Sequence, residues 1–281
     1  YRDHRDLPSF PTRRSSDLMD KVVLALHERG MQVVPLLAYT AGWASSDPDG
    51  AGNAPPRNVA DWEHYVETMV ARYSRPPFNL KYFQLWNEPR WSLDTGFWTG
   101  TGPEWVDKIF VPGARIVRKY GCKTVFGGWP CNQPQDLDTV LAYHDCWRWV
   151  DIIDVHYFTS DVFQDMWDKY LSTGRCEGLW QTEIGWLPFP NYLPNCYLRV
   201  LYWALGHGWE EDSDRYKLFW FACWGAGPDG PASLTQPGEG GNVLSQHGLR
   251  QKVINQVLGG GKLAAYEEFT TKLDQIGRAQ V

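Results

Sequence analysis

No stretch of this sequence runs to 18 consecutive apolar residues, so nothing in it reads as a membrane-crossing helix, and no membrane partner is expected. Internal clusters of Lys and Arg are also missing. The 27 basic residues are outnumbered by 33 acidic ones, for a formal net charge of −6, which argues against a nucleic-acid partner, since affinity for phosphate backbones comes from grouped cations. The six cysteines, at 122, 131, 146, 176, 196 and 223, form no C-x-x-C pair, and no His or Cys cluster has ligand spacing. No metal and no cofactor is therefore expected. An even but scattered cysteine count neither implies disulfides nor excludes them, and localisation stays open between secreted and cytoplasmic. The G-x-S-x-G turn of serine hydrolases is absent, which removes support for an esterase.

Tryptophan, by contrast, is abundant: 16 Trp stand beside 14 Tyr and 12 Phe. That is more ring surface than a core needs, and aromatic faces in a cleft suit the apolar faces of sugar rings. With 43% hydrophobic and 21% charged residues the composition is that of a folded globular chain. Residues 1–18, YRDHRDLPSFPTRRSSDL, show neither helical nor strand periodicity and are expected to be a non-native or disordered leader, leaving 19–281 as one catalytic domain.

From Met19 the pattern alternates. Helical spacing in KVVLALHERG, ending at Gly30, precedes the apolar run MQVVPLLAY. Val59–Tyr73 is amphipathic and precedes LKYFQLW. A helix over Glu104–Tyr120 precedes KTVFGG, and one across LDTVLAYHDCWRW precedes DIIDVHYF. Phe163–Leu171 precedes GLWQTEIGW, Asn195–Gly206 precedes YKLFWFACW, and SQHGLRQKVINQVL closes as a helix. Six strands alternating with helices predict a parallel α/β sheet, either closed as a barrel or open and doubly wound. No strand end carries G-x-G-x-x-G; the ends carry Trp, Glu, His and Asn instead, which favours a (β/α)8 barrel with its chemistry at the C-terminal strand ends.

Two of those strands end in a glutamate among aromatic residues: LWNEP places Glu88, and WQTEIGW places Glu183. Glycosidic bond cleavage needs two carboxyl groups, one to protonate the leaving oxygen and one to attack carbon or activate water. The two glutamates lie 95 positions apart, about three strand–helix units of a barrel whose eight units take about 250 residues, so they are expected to face one mouth. An acid at Glu88 needs its proton, which a partly desolvated site beside a second carboxylate favours. Asn87 can donate to a sugar hydroxyl next to the reacting carbon. His156 and Tyr157 are candidates to hold substrate or nucleophile, but adjacent residues of a regular strand point oppositely, so only one is expected to face the mouth unless the strand end twists. Trp43, Trp129 and Trp186 are candidate rim residues. Asp151 and Asp154, flanking a strand, are read as ion-pair or cap residues rather than catalytic ones.

Trp86-Asn87-Glu88-Pro89 together with Thr182-Glu183 resembles the clan A glycoside hydrolases, a superfamily of retaining (β/α)8 barrels. The resemblance implies Glu88 as general acid/base at the end of strand four, Asn87 beside it, Glu183 as nucleophile at the end of strand seven, and Trp224 as an aromatic platform under the reacting sugar. The neighbourhood FQLWNEPRWSLDTGFWTG and the pair Gly127-Gly128 are most similar to family 39, the β-xylosidases and iduronidases, with family 5 next. On this numbering nothing upstream of Met19 supplies the first two strands, and the barrel is expected to be partial, with two open sheet edges. The implied partner is a carbohydrate. Two other readings are a non-catalytic carbohydrate-binding barrel and an inverting glycanase, the latter separable by carboxyl spacing.

Overall fold

The computed structural model describes residues 13–89, 97–130, 134–184, 197–209, 211–223 and 233–258. The chain divides into two compact units, Tyr1–Asp154 and Val155–Val281. The first contains α1 (Arg13–His27), β1 (Leu36–Leu37), α2 (Val59–Tyr73), β2 (Tyr82–Leu85), α3 (Gly102–Trp105), α4 (Val111–Lys119), β3 (Lys123–Phe126), the short β4 (Trp129–Pro130), α5 (Pro134–Ala142) and most of β5 (Ile152–His156). Its parallel order is β1-β2-β3-β5. The second begins at the end of β5 and adds α6 (Ser160–Met166), β6 (Gly178–Ile184), α7 (Leu198–Gly206), β7 (Tyr216–Trp220), the pair β8 (Thr235–Gly238) and β9 (Gly241–Leu244), and α8 (Gln246–Leu258). Here the order is β5-β6-β7, with β8 and β9 as a separate sheet. All six strands expected from the sequence are present, each flanked by the expected helices, and the fold is a partial (β/α)8 sheet.

Local sequence explains most of this. In α2 the residues Trp62, Val66, Val70 and Tyr73 are buried at helical spacing. Burial of one such side chain is worth about 1.5–3 kcal/mol. Asn58 caps the helix by accepting from the Ala60 N–H at 3.2 Å. The helix expected over Glu104–Tyr120 is present but interrupted by a π segment at Val106–Phe110, in which the Val111 N–H reaches back to the Val106 carbonyl. Pro112 follows directly and has no N–H with which to continue the ordinary ladder, so the wider turn comes just ahead of it. Gly113 then lets α4 approach β2, with the position of a side-chain carbon only 3.1 Å from Leu85.

Three expectations change. The helix α1 begins at Arg13, inside the segment read as leader, and its Asp20 accepts from Arg72 Nε and Tyr73 Oη, both at 3.1 Å, on α2. The apolar run MQVVPLLAY forms only two strand residues, Leu36 and Leu37, paired with Gln84 and Leu85. Pro35 has no N–H to give to a ladder, and β1 has a partner on one side only among the described residues. The β8–β9 hairpin was not foreseen. Its two-residue turn, Glu239-Gly240, is followed by Gly241, and both glycines have positive φ (80° and 131°), so the Gly-Gly pair is the signal that marks it.

Asp151 shows the ion-pairing role read for it. Its carboxylate accepts from the Thr124 N–H at 2.7 Å, the Thr124 hydroxyl at 2.9 Å and Arg118 at 2.7 Å, joining the start of β3 to the start of β5. Asp151→Ala leaves a buried N–H without its acceptor and is expected to cost about 2–3 kcal/mol, to be read as a lower midpoint at unchanged slope in urea unfolding. An unchanged midpoint would show that water replaces the carboxylate there.

Candidate active site

Glu88 follows β2 by three residues. Its N–H donates to the Gly127 carbonyl at 2.8 Å, as the Trp86 N–H does to the Leu37 carbonyl at 2.9 Å, so neighbouring strands hold the backbone on both sides. Between them the chain twists sharply: Trp86 has φ 73° and Glu88 φ 45°. Left-handed backbone is unfavourable for residues with a side chain, above all for one as bulky as Trp, and it persists only where surrounding contacts over-determine it. The contacts are visible. Trp86 is 0% exposed, its indole N–H donates to the Phe97 carbonyl at 3.0 Å, and its ring meets Tyr39, Trp62 and Trp98 edge-on at 5.2, 5.9 and 5.3 Å. The consequence is a half-buried Glu88 at the C-terminal end of a parallel strand. Asn87 beside it is buried, and its Oδ1 has no hydrogen-bond partner among the described residues. A buried amide oxygen without a donor costs free energy that an incoming hydroxyl would recover.

Glu183 sits near the end of β6. Pairing with β7 runs Leu179 to Tyr216, Trp180 to Lys217 and Gln181 to Leu218, then resumes at Ile184 with Trp220. Three steps on β6 therefore match two on β7, which places Thr182 and Glu183 in a β-bulge. Bulges re-aim side chains, and here the re-aimed one is a carboxylate. Its Oε2 accepts from the Tyr157 hydroxyl at 3.0 Å and lies 3.6 Å from His156 Nδ1. His156 is fully buried, with Nε2 at 3.0 Å from Thr182 Oγ1.

Of the two arrangements left open for His156 and Tyr157, the twisted strand end is the one present. Tyr157 has φ 61°, so the chain leaves the pleat there and both rings reach the same carboxylate oxygen. The Tyr157 N–H still donates to the Glu183 carbonyl at 3.1 Å. One residue on, the fully buried Gln181 takes over the ladder's work: its Oε1 accepts from the Phe158 N–H at 2.5 Å, and its Nε2 donates to the Phe158 carbonyl at 3.3 Å. Gln181 was not singled out in the sequence; its place two residues before Glu183 on one strand was the available clue. Gln181→Leu removes both bonds in a dry site and is expected to destabilise the protein by about 2–4 kcal/mol. It should also raise amide exchange at Phe158, read by hydrogen exchange. Unchanged protection at Phe158 would rule out the clamp.

The aromatic candidates separate. Trp43 is half-buried at the wall of a cavity in the first unit. Trp129 is a correction: it is 0% exposed, and its ring stacks on the equally buried Phe126 of β3 at 6.1 Å, so it packs as core rather than at a rim. Trp186 and Trp224 lie outside the described residues. Among the described residues, Cys122, Cys146, Cys176 and Cys223 form no disulfide.

No protein-family model matches the chain, and no curated protein does. Solved structures do resemble it. A GH30 endoxylanase from Clostridium papyrosolvens C71 superposes with a TM-score of 0.53 at 14% identity, over 79% of this chain and 56% of its own. An endo-β-1,4-glucanase from Xanthomonas axonopodis pv. citri, carrying a triple mutation, gives 0.52 at 16% identity, over 87% and 80%. SrfJ from Salmonella typhimurium gives 0.55 at 13%, over 81% and 54%. The chain thus spans little more than half the length of two of these proteins. At such identities the likeness establishes the fold: a partial barrel of the kind found in TIM-barrel glycoside hydrolases.

Proposed function

We propose that this chain is a retaining glycoside hydrolase that cleaves O-glycosidic bonds of plant- or microbial-type oligosaccharides or polysaccharides, with Glu183 as nucleophile and Glu88 as general acid/base. The observation that carries this reading is the setting of Glu183: a strand-end carboxylate aimed by a bulge and held by the Tyr157 hydroxyl at 3.0 Å. A hydrogen bond from a neutral phenol favours the ionised carboxylate, the form that attacks carbon. The left-handed backbone at Glu88 and the unpartnered Asn87 oxygen support the same reading from β2. The local sequence is most similar to family 39, and the neighbours named above include a xylanase and a glucanase.

The chemistry follows from these roles. A Glu183 oxygen attacks the anomeric carbon as its bond to the leaving oxygen breaks, and Glu88 transfers its proton to that oxygen. A glycosyl ester on Glu183 results. Glu88, now a carboxylate, takes a proton from water, whose oxygen attacks the same carbon and releases Glu183. Two displacements restore the original anomeric configuration. Asn87 meets a hydroxyl of the reacting sugar.

Acid assistance matters most where the leaving group is a poor one. Glu88→Gln is therefore expected to lower turnover of an alkyl glycoside by about 10²–10⁴-fold while affecting a dinitrophenyl glycoside far less. NMR of the first-formed product should show retained configuration. Equal losses on both substrates would remove Glu88 from the acid role, an inverted product would remove the double displacement, and a chain that binds sugars without any turnover would be a carbohydrate-binding barrel.

A further inference from the structure

At the end of the sheet where β2, β3 and β5 begin, the first unit gathers cations that lie apart in the sequence. Arg115 and Arg118 of α4 both lie over the ring of Trp149, each guanidinium carbon 5.4 Å from its centroid, and Arg148 lies 4.8 Å over Trp147. Beside them, Arg75 and Lys119 lie over Tyr120 at 5.9 and 5.6 Å. We propose that this surface is a docking site for an acidic protein segment, one rich in Asp and Glu, and that it serves an interaction separate from the cleavage of sugars.

The charges there do not balance. Three of the cations have a carboxylate: Asp151 takes Arg118 at 2.7 Å, Glu67 takes Lys119 at 2.6 Å and Asp145 takes Arg148 at 3.2 Å. Arg75 and Arg115 are exposed and form no ion pair among the described residues, and Lys81, also exposed, stands directly before β2. Arg115 and Arg118 share one ring, so their mutual repulsion stands until an anion comes between them. On a chain of net charge −6, such a surplus arises only because the fold brings residues 75, 115–119 and 148 together. The cations are also preorganised. A guanidinium laid on an aromatic face keeps its plane and turns its N–H edge outward, ready for the two oxygens of a carboxylate. Arg118 is held further by its bond to the Arg148 carbonyl at 2.7 Å. Little rotamer freedom is left to be lost on binding.

The side-chain types point to a protein partner. Arg, Trp and Tyr are the residues that carry most of the binding energy where proteins meet. A polysaccharide or a single-stranded nucleic acid needs open ring faces to stack on, and Trp149 and Tyr120 each already carry two cations. An anionic lipid surface needs apolar side chains to insert. Among the described residues, none of the large exposed apolar side chains comes from α2, α4 or the turns of Tyr143–Trp149. A partner held here leaves Glu88 open, because the glutamate follows the other end of β2, whose four residues span about 13 Å.

The test is fluorescence anisotropy of a labelled deca-glutamate peptide titrated with the full chain at low and at physiological salt. Binding is expected at low salt and weaker at the higher one. Affinity should fall about tenfold in Arg115→Glu and in Arg75→Glu, and only about two- to threefold in Arg115→Lys, which keeps the charge and loses the fork. Neither arginine is in an ion pair, so circular dichroism and unfolding midpoints should match the unsubstituted chain; if Arg115→Glu is unfolded, Arg75→Glu carries the test. Glu183→Gln should bind the peptide as the unsubstituted chain does, so the docking surface stands or falls apart from the catalytic assignment. No binding of deca-glutamate at low salt overturns the proposal, as does an affinity that the folded charge reversals leave unchanged. Displacement of the peptide by a single-stranded oligonucleotide, by polygalacturonate or by phosphatidylserine vesicles at lower concentration than by unlabelled deca-glutamate also overturns it, in favour of a phosphate, uronate or lipid ligand.

Discussion

Glu183→Gln is expected to lower turnover of an activated aryl glycoside by about four to six orders of magnitude, the scale at which removing the attacking group disables a covalent mechanism. The amide is nearly isosteric with the carboxylate, and Tyr157 can still donate to its oxygen. Folding should therefore be almost untouched: the side chain of Glu183 is 21% exposed and rests in an already formed bulge. Steady-state kinetics beside a thermal unfolding scan separates the two effects. Turnover within tenfold of the unsubstituted chain would take the nucleophile role away from this residue. A parallel fall in the unfolding midpoint would recast Glu183 as a structural residue.

Gly127→Ala is expected to damage stability and activity together. A side-chain carbon at this position would stand 2.5 Å from the Leu85 carbonyl oxygen and 3.2 Å from that of Trp86, so backbone rather than a flexible side chain would have to move. Overpacking of this kind costs about 1–3 kcal/mol, and the upper end applies where main chain is displaced. The displaced segment is the one that carries Glu88, whose N–H is bonded to the Gly127 carbonyl. Activity should fall together with stability. Gly121→Ala is the comparison: Gly121 has φ 71° but open space around it, so about 1 kcal/mol of backbone strain is expected, with no change in turnover. Equal unfolding midpoints for the two variants would show that β2 and β3 yield without cost.

The pair Gly127-Gly128 illustrates what could be read in advance. Its presence after a strand was legible, but the reason for Gly127, a Leu85 carbonyl 2.5 Å from where a side-chain carbon would stand, belongs to a residue 42 positions earlier. The same division runs through the site. The strand-end positions of Glu88, Asn87 and Glu183 were legible because each closes an apolar run, and a run of strand length between two helical patterns announces itself. The six strands and the helix Val59–Tyr73 were legible for the same reason. Trp129 was misread because a tryptophan after a strand looks alike whether it faces a rim or a core, and only its burial against Phe126 decided. For His156 and Tyr157 the pleat alone left two outcomes, rings pointing apart or a twisted strand end, and the left-handed turn at Tyr157 that decides between them is imposed from outside.

Consecutive residues alone thus determined the α/β alternation and the acidic side chains near the ends of two strands, since periodicity and element-breaking residues act over a single turn or pleat. Tertiary structure decided which way those side chains aim. The bulge at Thr182–Glu183 depends on register with β7, and the reach of both rings to one carboxylate depends on a clamp from Gln181 to Phe158 across 23 positions of sequence. Hydrogen bonds and packing of that span are made only once strands lie side by side, so no local pattern encodes them.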